Sequence, residues 1–314
     1  MSNKLNYSSP VIALILLLTL GLLWGSSYSI AKFAMSNGVS PLGYAFWQSV
    51  GPAVFVTLIV YARRSSIRFS KQYLKYYLVC GLVGIACPNM IMYFAAPHLP
   101  AGILALIVNT APTMTYPIAF AAKLEKFHWQ RFLGVMFGFI GLMLILLPKT
   151  SLPAPGMLPW ALLTLLTPFC FALCTIYISL ARPKEADSLA SSAGMMMVSG
   201  LFLTPLVLST QNFYVISFPF NVADGVILLE IVLSSLGYVL FFELIKRAGP
   251  VYYSLVGGVV ALTGLAWGYL LFGERLNLWG FLATLCIILA ITLITLKFNL
   301  RSGYTAKHTV ENSA

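Results

Sequence analysis

Charge is what this chain has least of. Only 9% of its 314 residues are charged, and only 8 are Asp or Glu. A soluble domain carries about 25% charged residues, so nothing here solvates the surface of a water-soluble globule. The motifs of powered or covalent chemistry are missing too. No Gly-x-x-x-x-Gly-Lys-Ser/Thr run exists to cradle a nucleotide's phosphates, so the chain does not power itself with ATP. There is no His-Glu-x-x-His, and Gly25-Ser26-Ser27 lacks the spacing of a nucleophile elbow. His98 and His128 fall in loops and His308 in the tail, so no metal and no cofactor is expected. The formal charge of +11 comes without a basic stripe, which argues against nucleic acid. No repeated filter or charged ring marks a channel. The five cysteines, Cys80, Cys87, Cys170, Cys174 and Cys286, all lie in apolar runs and read as small buried hydrophobes. Cys170 and Cys174 sit one helical turn apart, too constrained for an easy disulfide.

What the chain does have is apolar length: 60% hydrophobic residues and a mean hydropathy of +0.90. Runs of roughly 20 apolar residues read as bilayer-spanning helices. Ten are expected, near 10–35, 42–62, 75–96, 100–122, 130–148, 157–181, 188–208, 224–246, 250–272 and 278–297. Polar, Gly and Pro residues punctuate the gaps, as at Asn37-Gly38, Arg182-Pro183 and Gly249-Pro250. The apolar stretch after Lys4 continues to about Met35, too long for a signal-peptide core, and reads as the first membrane helix. With the N-terminus inside, 16 of the 19 Lys and Arg fall on inner segments, and only Lys149 and Arg275 on outer ones. That bias places both termini in the cytoplasm.

The chain also repeats itself weakly. Leu124-Glu125-Lys126 follows span four and Gly273-Glu274-Arg275 follows span nine, with 149 residues between Glu125 and Glu274. Tyr93-Phe94 and Phe241-Phe242 close spans three and eight, and Pro100 and Pro250 open the next ones. Five spans per half is an odd number, so the second half is inverted relative to the first. That arrangement is typical of secondary transporters, whose solute binds near the midplane.

These residues resemble the drug/metabolite transporter superfamily, specifically its EamA-type ten-helix members. The resemblance rests on Leu23-Trp24-Gly25-Ser26-Ser27, Pro112, the Glu-Lys and Glu-Arg pairs after spans four and nine, and Gly134, Gly138 and Gly141. It covers about 10–297. It implies an all-α membrane protein of two inverted five-helix repeats around a central cavity, moving small metabolites, often outward, in a bacterial inner membrane. The domains expected are a cytoplasmic tail (1–9), a first repeat (10–148), an external linker (149–156), a second repeat (157–297) and a cytoplasmic tail (298–314). Two departures stand out: Ala261 at the counterpart of Pro112, and Glu243 where many relatives look aromatic.

Polar groups inside spans are expensive and mark a pathway or a helix contact. Glu230 lies roughly 9 Å into span eight at about 1.5 Å per residue. Lys32 sits at similar depth in span one. Either they meet across the cavity, or Glu230 carries a coupled proton, or each snorkels to the interface. Glu243 lies four residues before Arg247, a helical ion-pair spacing. Asn89 follows Pro88, where a kink aims polar groups inward, and Asn109 precedes Pro112; each is a solute contact or interhelical glue. Gln48 is a further polar candidate. Trp24, Tyr28, Tyr93, Tyr177, Tyr238 and Trp267 complete the candidate solute-binding set, while Tyr44 and Trp47 read as an interfacial belt. Glu125 and Glu274 read as capping and pairing residues. The Gly21/Gly25, Gly134/Gly138 and Gly264/Gly268 spacings let helices approach within one protomer, so a monomer in lipid is expected. Three readings remain: a secondary carrier for amino acids or related amphipathic metabolites, a non-transporting assembly protein, and an intramembrane enzyme.

Overall fold

The computed structural model describes residues 10–148, 151–183, 185–253 and 255–295. The tails carrying Lys4, Arg301 and Lys307, together with Lys149, Lys184 and Lys297, lie outside them. All regular secondary structure among the described residues is helical, with no strand. Ten apolar helical segments follow one another: α1 (Pro10–Ser36), α2 (Pro41–Ala62), α3 (Lys71–His98), α4 (Ala101–Ala121), α5 (Trp129–Leu146), α6 (Leu158–Ala181), α7 (Ser188–Ser209), α8 (Val222–Tyr253), α9 (Val256–Phe272) and α10 (Leu278–Thr295). Nine are long and apolar enough to cross a bilayer, and α9 is a shorter apolar helix.

The residue distribution is that of a membrane protein. Large apolar side chains such as Leu58, Leu201 and Leu270 face outward, whereas Ser29, Ser49, Thr110, Thr164 and Ser199 are fully buried. Lipid supplies no hydrophobic drive between helices, so close backbone approach and interhelical hydrogen bonds hold them together. On α1, a Cβ added at Gly21 or Gly25 would collide with Val259 or Thr263 of α9. The Thr263 hydroxyl donates to the Gly21 carbonyl at 2.7 Å.

The packing itself is two-fold. α1 packs on α9 and α8, and the equivalent helices α6 and α4, then α6 and α3, pack in the same way. α2 on α8 matches α7 on α3, while α2 on α7 and α5 on α10 are pairs between equivalent helices. Ser49 and Ser199 lie 150 residues apart, the offset of the repeat, and share a buried hydrogen bond of 2.9 Å. They sit where a two-fold axis between the halves must pass. The helix ends repeat as well: left-handed residues follow α2 and α7 (Arg64, Gln211) and α4 and α9 (Lys123, Gly273).

One expected boundary moves. The gap at Gly249-Pro250 is absent: α8 runs on to Tyr253, and the turn comes at Leu255. Proline removes one helical hydrogen bond, but in a membrane helix the neighbours keep the helix going. The breaks that do occur in the first half lie in α3, which carries a π-helical turn at Leu82–Ala86 just before Pro88, and in α4, which is interrupted at Asn109 and Thr110.

Candidate functional site

A cavity of about 770 Å³ lies between the halves. At one end it reaches Arg182, Ser188 and Ser191, where the α2–α3 and α6–α7 loops meet; at the other it ends against Tyr28, Gln48 and Tyr93. Its wall is aromatic and hydroxyl-bearing. Trp24 forms the hub, with ring centroids 6.1 Å from Tyr238, 6.0 Å from Phe241 and 6.4 Å from Tyr253. Phe241 and Tyr253 stand 4.7 Å apart, edge to face. Such edge contacts fix the rings rigidly while leaving their faces for an apolar or cationic guest.

Seven of the eleven expected residues line this cavity: Trp24, Tyr28, Gln48, Asn89, Tyr93, Asn109 and Tyr238. Helical breaks place two of them. Asn89 follows the π-helical turn and Pro88, and Asn109 closes the first segment of α4. The Asn109 amide donates to the Ala105 carbonyl at 2.8 Å and to the Tyr28 hydroxyl at 3.3 Å, joining α4 to α1.

The other four do not reach the cavity wall. Tyr177 stacks behind Tyr76, a lining residue, at 6.3 Å. Trp267 is half-buried on α9, away from the wall. Glu230 and Lys32 do not meet. Lys32 instead pairs with Glu274 at 2.7 Å and lies 4.9 Å from the Phe272 ring. The same Glu274 carboxylate accepts from the backbone N–H groups of Ala101 and Gly102, at 2.8 and 3.1 Å. An anion at a helix N-terminus is favoured by the unpaired amides and the helix dipole, and this explains why α9's end, not α8, captures the lysine. A Cβ at Gly268 would strike that carboxylate, so glycine makes room for it. This knot lies one turn of α1 beyond the lining residue Tyr28, toward the end of the cavity away from Arg182. The capping role expected of Glu274 is thus realised. Glu243 pairs with Arg247 on the same helix, as its spacing implied.

Glu230 is 1% exposed, one layer behind the wall. Its Oε1 accepts from Gln48 Nε2 at 2.7 Å and from the Ser234 hydroxyl at 2.8 Å. Tyr44 also departs from expectation. It is not in an interfacial belt but 2% exposed, edge-on to Tyr93 at 4.8 Å. Trp47 stays nearer the rim, donating to the Tyr214 carbonyl at 2.9 Å. At the open end Arg68 and Glu185 pair at 2.6 Å across the two loops. The hydrogen bond to Glu185 pushes the Arg68 guanidinium above its ordinary value.

The lining residues missed in the sequence include Ser27, Ser192, Ser234, Arg182, Phe241 and Tyr253. Two carried a readable signal. Ser27 is one turn from Trp24, and Ser234 is one turn from Glu230 and one from Tyr238, so each shares a helix face with a residue already singled out.

Fold and site together define a polytopic helical membrane protein with two interlocked repeats and a large aromatic and polar chamber between them. The profile of the EamA-like transporter family matches residues 11–147 and 158–296, and the chain belongs to that family. It is therefore a membrane transporter of small molecules. It is 26% identical over 200 residues to Protein PecM of Dickeya dadantii (strain 3937), a match spanning 63% of this chain and 66% of that one. To an uncharacterized transporter, YyaM of Bacillus subtilis (strain 168), it is 24% identical over 265 residues, 81% of this chain and 85% of that one. A solved crystal structure described only as that of a protein shares the fold, with a TM-score of 0.61 at 15% identity over 91% of this chain and 98% of that one.

Proposed function

We propose that the chain is a secondary carrier that exports amino acids or related amphipathic metabolites across a bacterial inner membrane by alternating access. The observation that carries this reading is the chamber: it ends within the bundle against Tyr28, Gln48 and Tyr93, reaches the loops at the other end, and is lined by rings and isolated polar groups rather than by charge clusters. A volume of 770 Å³ suits a small organic solute and is too large for a bare ion. Trp24, Tyr238, Phe241 and Tyr253 take the apolar part of the solute, while Asn89, Asn109 and Gln48 fix its polar groups. A polyanion such as a nucleotide sugar is disfavoured, since Arg182 at the mouth is the only Lys or Arg among the lining residues.

Orientation follows from the cation bias, with both termini in the cytoplasm. The Arg68, Arg182 and Ser188 end is then cytoplasmic, and this conformation faces inward. The domain limits set out above, a monomeric state and the absence of catalysis belong to the same reading.

Cys174 lines the chamber and makes the test possible. A variant keeping only this cysteine is alkylated in inside-out vesicles while a panel of amino acids and amphipathic metabolites is screened for protection. Protecting solutes are then loaded into proteoliposomes and their exchange followed. A solute that both protects Cys174 and crosses with the wild-type chain, but not with Trp24→Ala, supports the carrier. A panel with no flux at all favours an assembly role.

A further inference from the structure

We propose that Glu230 is a proton site, set behind the chamber wall, that exchanges its proton with the chamber in this conformation and couples proton movement to solute movement. The coupling rests on the carrier reading above; the proton site does not.

The hydrogen-bond inventory around Glu230 is unbalanced. Its Oε1 takes two donors, Gln48 Nε2 and the Ser234 hydroxyl, at 2.7 and 2.8 Å. Its Oε2, the Gln48 Oε1 and the Tyr44 hydroxyl are buried with no hydrogen-bond partner. Among the described residues no Lys, Arg or His pairs with Glu230, and Lys32 is held by Glu274. A carboxylate with one bare oxygen, 1% exposed and without a cation, costs several kcal/mol. Two of the three unsatisfied atoms, Glu230 Oε2 and Gln48 Oε1, are acceptors. One proton on Oε2 discharges the group and supplies a missing donor. Only three oxygens here, Glu230 Oε2, Gln48 Oε1 and the Tyr44 hydroxyl, are free of hydrogen bonds, fewer than the about six that a hard metal cation takes, which favours the proton.

The setting gives that proton a route. Gln48 and Ser234, which hold the carboxyl, both line the chamber, as does Ser27, whose hydroxyl lies beside it. One layer of polar side chains therefore separates Glu230 from chamber water. Beside Glu230 stands buried Tyr44, whose ring lies 4.8 Å from that of the lining residue Tyr93. Among the described residues the titratable groups facing this cluster are phenols: Tyr44 from α2 and Tyr93 from α3, with Tyr28 of α1 and Tyr238 of α8 next to Tyr93. The proton enters from the chamber while the Lys32–Glu274 pair is intact, and leaves to the far side when that end opens. Nothing is oxidised and no bond beyond O–H is made or broken.

The test uses the full chain purified in detergent and then in liposomes. Infrared difference spectra between acidic and alkaline buffer should show a protonated-carboxyl C=O band that disappears on alkalinisation in wild type. That band should be missing in Glu230→Gln, whose fold is checked by size exclusion. A band unchanged by Glu230→Gln belongs to another carboxyl, and the site is wrong. Replacing choline chloride with sodium chloride at fixed alkaline pH should leave the spectrum alone; a sodium-induced change would reassign the site to a metal cation. In liposomes, flux of a solute that protects Cys174 should follow an imposed pH gradient in wild type. Whatever flux Glu230→Gln retains should ignore the gradient. Gradient-independent flux in wild type overturns the coupling. A titrating band with no flux for any solute overturns the carrier reading and leaves the proton site standing.

Discussion

Trp24 shows how one side chain organises the chamber. It touches Tyr238, Phe241 and Tyr253 at once, and a Cβ on Gly237 would run into its indole. Truncation removes ring contacts worth about 0.5–1.5 kcal/mol each and frees the remaining rings. Trp24→Ala should therefore raise the solute concentration that half-protects Cys174 by about tenfold, equivalent to ~1.4 kcal/mol. Glu274 is the second decisive residue. It serves one ammonium and two helix-terminal amides together. Glu274→Ala leaves Lys32 without its counter-ion and α4 without a cap, so unfolding in detergent should come earlier by about 1–3 kcal/mol. Glu274→Gln, which keeps an acceptor but not the charge, should fall between the two; an alanine variant as stable as wild type would show the knot to be idle.

Helices join here by backbone proximity, and that sets what each element tolerates. Gly25 meets Thr263 of α9, whereas Gly225, near the start of α8, has open space around it. Gly25→Leu overpacks the α1–α9 contact and should cost about 1–3 kcal/mol, seen as lost monodisperse protein after mild heating. Gly225→Ala should change nothing measurable. The number and order of helices were legible because apolar length and cation placement act residue by residue along the chain. The continuation of α8 past Gly249-Pro250 was not, because whether a membrane helix survives a proline depends on its neighbours. In the site, Trp24, Asn89 and Tyr93 were legible as deep polar or aromatic residues, whereas Trp267 was read as equally deep and stands off the wall. The fate of Lys32 was not: depth along two helices says nothing about rotation, and its partner Glu274 lies 242 residues away in sequence. Tyr44 misled for the same reason, since an aromatic near a helix end lies in a belt or turns inward according to what packs beside it.

At the scale of the whole molecule, and on the alternating-access reading proposed above, the two-fold packing separates contacts that stay from contacts that change. A pair between equivalent helices, such as Ser49 with Ser199, sits where the axis between the halves passes, and exchanging the roles of the two halves leaves it in place. The Lys32–Glu274 knot has no such protection. It joins α1 to the α9 end and α4, and its place in the first half is taken by a different pair, Glu125 with Arg131 at 2.8 Å. Alternating access through a two-fold carrier therefore requires the first kind of contact to act as a pivot and the second to break. A disulfide between Ser49→Cys and Ser199→Cys, whose hydroxyls already lie 2.9 Å apart, should form readily and leave solute exchange within about twofold of the reduced protein. A short bifunctional maleimide joining Lys32→Cys to Glu274→Cys should instead stop exchange while Cys174 stays open to alkylation in inside-out vesicles. Measured together in proteoliposomes, the two cross-links discriminate sharply. If the axis pair blocks exchange, the halves do not pivot there; if the knot can be tied without effect, the Lys32–Glu274 end is not a gate.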